Sequence, residues 1–451
     1  MRLSHMAGII IDAKVDRIQV PENLRYFRLI EEQQERCAEK GCQEEFFKFG
    51  LGQSPFPVPA PLQKALSLHS GMGSYADPIG NIEVREAVAS FYKTRFDLDV
   101  EPYRVITGHG AKGLIFSIFT LITGSVIIPS PGWLGYLPQL RILNVPYYRL
   151  YTHGANNFKI RPQTLEAMLK GLVKTQHLLI LNNPGNPTGA LYTKEELNDI
   201  ANVCRKYNTF ILSDEVYSLL TYDPGSFVSM GKIYPEGTFV IHSLSAGMGA
   251  GGFRLGSCIM PEGISPSAIR DVAKIAATIY TSSAAPLQQA GIAAYRSGEE
   301  MDQYLEAVRN ILRIMTSRLA HMCGAIEGIR VTVPKAGFYF MVDMNPLTDA
   351  LQKAGIMYSN DLAPALISHP YHIATVTGEA MMAPYGDFFI RFACTDFDGE
   401  SALLEYLEKP PAPEEEEAFF EKYGRRMIEG MRMFQKWVGD IRDGTFRMPA
   451  L

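Results

Sequence analysis

Residues 182–189, NNPGNPTG, and residues 211–218, ILSDEVYS, decide how this chain is read. In the first run two prolines and two glycines follow a short apolar stretch. Proline cannot continue a helix or donate to a central sheet, so a rigid loop after a strand is predicted. The loop would hold Asn186 with its amide toward a ligand. In the second run Asp214 stands where another apolar stretch ends. A carboxylate at a buried strand end is costly unless it meets a cation or strong donors, and Tyr217 lies three residues on. The plainer readings are a structural turn at 182–189 and a helix N-cap at Asp214.

Working outward, short runs rich in Ile, Leu and Val recur at 104–107, 125–129, 178–182, 210–213, 239–242 and 257–260. Such runs suit strands buried on both faces. Helical stretches such as 193–207, TKEELNDIANVCRKY, sit between several of them. The alternation predicts an α/β fold with a mostly parallel central sheet. Residues 22–40 and 82–96 carry helical spacing. Residues 49–61, FGLGQSPFPVPAP, hold four prolines and two glycines and are expected to cross the surface in extended form. A long helical segment is expected over 265–320, then strands at 338–343 and 388–393 in a smaller α+β unit. Residues 409–417, KPPAPEEEE, form a polar linker, and 418–438 an amphipathic helix whose apolar stripe packs on the body. The expected division is 1–70 as a segment contributing to the small domain, 71–300 as the large domain, 301–410 as the small domain and 411–451 as a helical extension.

The 451 residues are 47% hydrophobic and 20% charged with a formal net charge of -5, which is ordinary globular composition without the basic surplus that nucleic acid demands. No uninterrupted apolar run is long enough to span a bilayer. Residues 114–128 come closest and are split by Gly124 and Ser125. The six cysteines show neither metal spacing nor a dense disulfide pattern, so reduced thiols in a cytoplasmic protein are expected. The run Ser4-His5-Met6 has the form of a cloning scar.

Two further clusters complete the picture. In ITGHGAKGLIF, residues 106–116, a strand ends at glycines and an apolar helix begins, a place where free N–H groups suit a phosphate. In HSLSAGMGAGGFRLGS, residues 242–257, Ser243, Ser245 and Arg254 offer hydroxyls and a guanidinium fork, good phosphate ligands. The plainer reading of the second is a flexible loop.

These four clusters, in this order, resemble the class I and II aminotransferases, pyridoxal-phosphate enzymes of fold type I. The resemblance spans about residues 45–400. It implies pyridoxal 5'-phosphate as cofactor, with Gly110, Ala111, Lys112, Ser243, Ser245 and Arg254 around its phosphate. It implies Asp214 on the pyridine N–H, where it keeps the ring protonated and electron-drawing. It places Asn186 and Tyr217 on the ring's phenolic oxygen, and Trp133 stacked on its face with Tyr136 as the fallback. Arg391, in FFIRFACT, would grip the α-carboxylate of an amino-acid substrate, with Asn186 beside it and Gly52 at the entrance. Tyr75 would reach the phosphate of a neighbouring subunit, which implies a homodimer with shared sites. No metal is implied.

One position departs from the pattern. The family lysine that forms the Schiff base and shuttles the proton stands eight residues before the arginine, and here that residue is Ala246. A methyl group does neither. The intact remainder of the site suggests a single engineered replacement, and a natural loss is the other reading. The resemblance implies an aminotransferase exchanging an amino acid with a 2-oxo acid, inactive in this chain. A lyase, decarboxylase, cyclase or oxidase on the same fold would share these motifs. A non-catalytic binder of an amino acid or of the cofactor is the third reading.

Overall fold

The computed structural model describes residue 18 and residues 20–173, 176–296 and 298–448. The Ser-His-Met run lies outside them. A short first strand, β1 (Phe47–Lys48), precedes the main sheet. That sheet is built from β2 (Val105–His109), β3 (Ser125–Ser130), β4 (Tyr147–Tyr151), β5 (His177–Asn182), β6 (Thr209–Asp214), β7 (Thr238–Ser243) and β8 (Leu255–Ile259). The strand order is β2-β8-β7-β6-β5-β3-β4, and β8 alone runs antiparallel to its neighbours. The fold is therefore the α/β architecture with a mostly parallel sheet. Apolar clusters line it from both sides: Ile106, Val126, Ile180 and Leu212 belong to one, and Ile127, Leu179, Leu181 and Ile211 to the other. Successive residues of β5 alternate between the clusters, as the two-residue strand period demands.

The remaining strands are β9 (Arg330–Val331), β10 (Tyr339–Asp343), β11 (Ile373–Ala374), β12 (Val376–Thr377) and β13 (Phe389–Ala393). They form a four-stranded sheet, β12-β13-β10-β9, and a two-stranded one in which β1 pairs with β11. Among the described residues no helix is long and apolar enough to cross a membrane.

Several expectations are corrected. Residues 49–61 do not skirt the surface. Phe49, Ser54 and Phe56 are buried, and the helix Ala60–Leu68 begins within the proline run because Pro61 falls in its first turn, where no N–H partner is missed. The expected long helix is three, Pro266–Ile279, Ala285–Tyr295 and Glu299–Gly324, since Pro266 and Pro286 each open a new helix. The tail helix is likewise two, Glu416–Tyr423 and Arg425–Arg442, joined at Gly424. β4 escaped sequence reading because YYRLY at the sheet edge is polar on alternate residues. Cys37 and Cys42 are not both free thiols. The chain turns back after the helix Glu22–Glu39, with Cys42 N–H donating to the Cys37 carbonyl and Gly41 at positive φ, and the two sulfurs are joined as a disulfide. Cys204, Cys258, Cys323 and Cys394 are free and buried.

The tail packs as expected. Met427, Met431, Phe434 and Trp437 are buried, and Phe434 meets Phe392 of β13 with ring centroids 5.1 Å apart. Gly430 is where this helix comes closest to β1: a Cβ there would lie 2.6 Å from the Phe49 ring and 2.9 Å from Phe47. At Gly439, on the same helix, a Cβ would meet nothing. Gly430→Ala is therefore expected to destabilise by about 1–3 kcal/mol through overpacking. Gly439→Ala should stabilise by up to about 1 kcal/mol through helix propensity. Urea denaturation of the two variants checks the contrast.

Beside Asp214, Glu215 is fully buried. Its Oε1 accepts from Ser213 Oγ, Ser229 Oγ and the Met230 amide, while Oε2 has no partner. Burial pushes its carboxyl up from the ordinary 4.5 to about 8. The folded chain then holds this proton more tightly than the unfolded chain. Stability attributable to Glu215 is fully present below about 4.5 and is lost as pH rises toward about 8. Glu215→Gln should flatten that slope, and thermal melts across pH 5–8.5 measure it.

Candidate active site

The carboxyl ends of β2, β3, β5, β6 and β7 open toward one cavity of about 220 Å³. It collects Gly52, Ala111, Lys112, Trp133, Asn186, Asp214, Tyr217, Ser243, Ser245, Arg254 and Arg391 from the sequence-derived set. Because β8 runs the other way, Arg254 just before it lies at the same edge of the sheet. A larger cavity of about 1100 Å³, lined by Asn157, Lys194, Arg330 and Lys335 among others, contains none of these residues. Size alone would select that other cleft; the convergence of polar groups at strand ends makes the smaller one the candidate.

Asp214 closes β6. Its Oδ2 accepts from Tyr136 Oη at 2.6 Å, and its Oδ1 is buried without a partner. Burial pushes the carboxyl up to about 6, against the pull of Tyr136 and the Val216 amide. A protonated pyridine nitrogen is the donor that such an orphaned oxygen lacks. Asn186 is aimed by the proline loop. Its amide donates to Asn182 Oδ1 at 2.6 Å, and the Gly189 and Gly185 amides close the turn on the Gly185 and Ala190 carbonyls. Asn186 Nδ2 lies 3.4 Å from Tyr217 Oη, so the two can share one acceptor between them.

The phosphate end depends on close backbone approach. Gly110 has φ +68°, and a Cβ there would lie 2.7 Å from the Arg254 guanidinium. A Cβ at Gly256 would sit 2.8 Å from the Ala111 amide nitrogen, and only glycine permits that approach. Ser243 Oγ and Ser245 Oγ are 2.6 Å apart, and Arg254 itself adopts a left-handed backbone at φ +52°. Ala111 and Lys112 lie in the first turn of the helix Gly110–Leu121, whose opening N–H groups have no helical partner. The residues present fit the phosphate, ring nitrogen and phenolic oxygen of pyridoxal phosphate.

Trp133 lines the cavity wall, and Gly135 makes room for it, since a Cβ there would lie 2.2 Å from the indole. Tyr136, the fallback for stacking, is instead turned edge-on to Trp133 and spends its hydroxyl on Asp214. The Lys112 ammonium lies 5.5 Å from the centre of the Trp133 ring. Desolvation, and next the charge of Arg254, holds it below the usual lysine range.

Arg391, in the middle of β13, is 2% exposed. Its Nη1 donates to Asn186 Oδ1 at 3.1 Å and its Nη2 to the Gly50 carbonyl at 2.8 Å. Its Nε has no partner, and no carboxylate among the described residues pairs with it. Tyr339, which sequence reading missed, carries the guanidinium 4.4 Å from its ring centre and points its hydroxyl at the Gly52 carbonyl and at Tyr217. Gly52 is required there, since a Cβ would overlap that hydroxyl. Only the turn-strand pattern AGFYF around Tyr339 could have signalled it. Asn23, from the first described helix, also lines the cavity.

Three sequence-derived residues are not among those that line the cavity: Gly110, which packs against Arg254 instead, Tyr75 and Ala246. Tyr75 is 89% exposed on this chain. Ala246 is buried beside Leu244 and Met248 in the largest apolar cluster and is not among the lining residues.

The model of the family described as aminotransferase class I and II matches residues 44–402. An aspartate aminotransferase of Pyrococcus horikoshii is 31% identical over 304 residues, 66% of this chain and 75% of that protein. One from Bacillus sp. YM-2 is 29% identical over 344 residues, 74% and 84% of the two chains. Among solved structures, an aspartate aminotransferase of Thermus thermophilus with maleate shares the fold with a TM-score of 0.76 at 24% identity, covering 88% of this chain and 98% of that one. The chain therefore belongs to the class I and II aminotransferases, enzymes of fold type I that use pyridoxal 5'-phosphate.

Proposed function

We propose that this chain binds pyridoxal phosphate and an α-amino acid in the cavity around Asp214, but that it is arrested because residue 246 is alanine. When bound, the cofactor supplies an electron-poor ring that withdraws charge from the substrate α-carbon. Asp214 holds the ring N–H and so maintains that withdrawal. Asn186 and Tyr217 fix the phenolic oxygen, and Ser243, Ser245 and Arg254 hold the phosphate. Trp133 limits the ring's tilt. Arg391 receives the substrate carboxylate on its free edge. No side chain at position 246 can then move a proton to or from the substrate carbon. The single observation that carries the reading is a buried, half-satisfied carboxylate and a buried, half-satisfied guanidinium facing one cavity.

The relatives' names make aspartate the first substrate to test, and the maleate in the Thermus structure is likewise a dicarboxylate. The exposure of Tyr75 supports a homodimer in which it reaches the partner's phosphate site. Elimination, decarboxylation, cyclisation or oxidation is the second class of reaction, since Arg391 and Asp214 would serve it equally.

Spectrophotometric titration with pyridoxal phosphate should give one site per chain, with the absorbance of the free aldehyde rather than of a lysine-linked form. Asp214→Asn should weaken that binding at least about tenfold, through loss of a charge-assisted bond. Equal affinity in the variant would contradict the placement of the ring.

Ala246→Lys should create 2-oxo-acid exchange with aspartate at a kcat at least about 10³-fold above the present chain, given what a positioned proton carrier contributes. Comparable turnover by both forms would overturn the proposal. Product formed without any amino acceptor would favour the second class of reaction.

A further inference from the structure

We propose that Glu44, His369 and His372 form a site for one zinc ion, or a chemically similar divalent transition-metal cation, outside the cofactor cavity. Glu44 lies in the segment leading into β1. His369 and His372 lie on the turn leading into β11, and β1 and β11 pair in register, Phe47 with Ile373. That pairing brings the three side chains together across more than three hundred residues of sequence.

The geometry is that of a ligand set. One atom from each residue can be chosen so that all three lie within 4.8 Å of one another. Glu44 Oε1 is 3.2 Å from His369 Nδ1, and Glu44 Oε2 is 2.9 Å from His372 Nε2. Ligand atoms around a tetrahedral zinc with bonds of about 2.0–2.1 Å stand about 3.3 Å apart. Two imidazoles and one carboxylate suit zinc and its neighbours better than magnesium or calcium, which take oxygen ligands.

His372 supplies the second observation. It is 7% exposed and holds its Nε2 2.9 Å from Glu44 Oε2. A cation would take the place of a proton between these two atoms. His369 is exposed and leaves one side open for water to complete the coordination.

The three residues open on a cavity of about 360 Å³ that also holds Glu45, Glu429 and Arg432. The sulfurs of Cys37 and Cys42 lie near Glu44 as well, but they are bonded to each other and are not counted as ligands.

A cation here would clamp the N-terminal segment to the strand pair. The helix Glu22–Glu39 leads into that segment, and its Asn23 lines the cofactor cavity. The clamp would thus steady one wall of the site from a distance.

The test is calorimetric titration of the chelator-treated full chain with zinc chloride, with zinc-edge anomalous scattering from soaked crystals. One zinc per chain between these three residues is expected. His369→Ala, an exposed change that should leave the fold intact, and Glu44→Gln should each weaken binding by more than the about 10–100-fold that loss of an outer-sphere partner costs. Zinc should raise the Tm of the parent chain but not of Glu44→Gln. A Cys37→Ser/Cys42→Ser double variant should bind zinc as the parent does, with or without reductant. No uptake by the parent, equal affinity in the Glu44 and His369 variants, or loss of binding only in the cysteine variant would each overturn the proposal.

Discussion

Two opposite charges are buried at one cavity and kept from neutralising each other. Asp214 spends one oxygen on Tyr136 and keeps the other bare, while Arg391 spends its fork on Asn186 and the Gly50 carbonyl and keeps Nε bare. Water would satisfy either group at the surface. In the interior each costs free energy until something completes it. Such an arrangement costs stability and is retained where a ligand with complementary ends supplies the missing partners. On the proposed reading, a ring N–H and an α-carboxylate are those ends. The close approaches at Gly52, Gly110 and Gly256 let Tyr339, Arg254 and the Ala111 amide, which line the same cavity, pack against bare backbone.

The sheet was legible because its strands are buried on both faces. His177–Asn182 and Thr238–Ser243 read as nearly unbroken apolar runs, and each ends on a residue that turns into the cavity. β4 was not legible, since an edge strand with one open side alternates polar and apolar residues and uses tyrosine for both. The proline-rich segment misled in the other direction. Proline density was read as surface, but Phe49 and Phe56 are core residues that the prolines hold in extended form.

Within the site, charged and glycine positions were readable from sequence, and tyrosines were not. A buried hydroxyl can satisfy a carboxylate, shield a guanidinium or hold a ring, and spacing does not distinguish these uses. Tyr136 was expected beside Trp133 as a stacking surface and is instead the donor that keeps Asp214 oriented. Tyr339 comes from a distant strand, and its contact with Arg391 exists only because β10 and β13 pair, with Met341 opposite Arg391. Glu44, His369 and His372 were invisible for the same reason. No local pattern joins them, only the register of β1 on β11.

Ala246 shows how separable binding and chemistry are in this scaffold. Every contact proposed for the cofactor comes from residues around position 246, not from it, so none of them depends on a side chain there. The methyl group sits in an apolar cluster with Leu244 and Met248. An amine brought there would be desolvated, and desolvation favours the neutral, nucleophilic form. The surroundings of residue 246 are thus suited to a reactive amine even though the chain carries none. On the proposed reading, the pocket keeps its contacts to the cofactor while position 246 itself carries no group to move the proton.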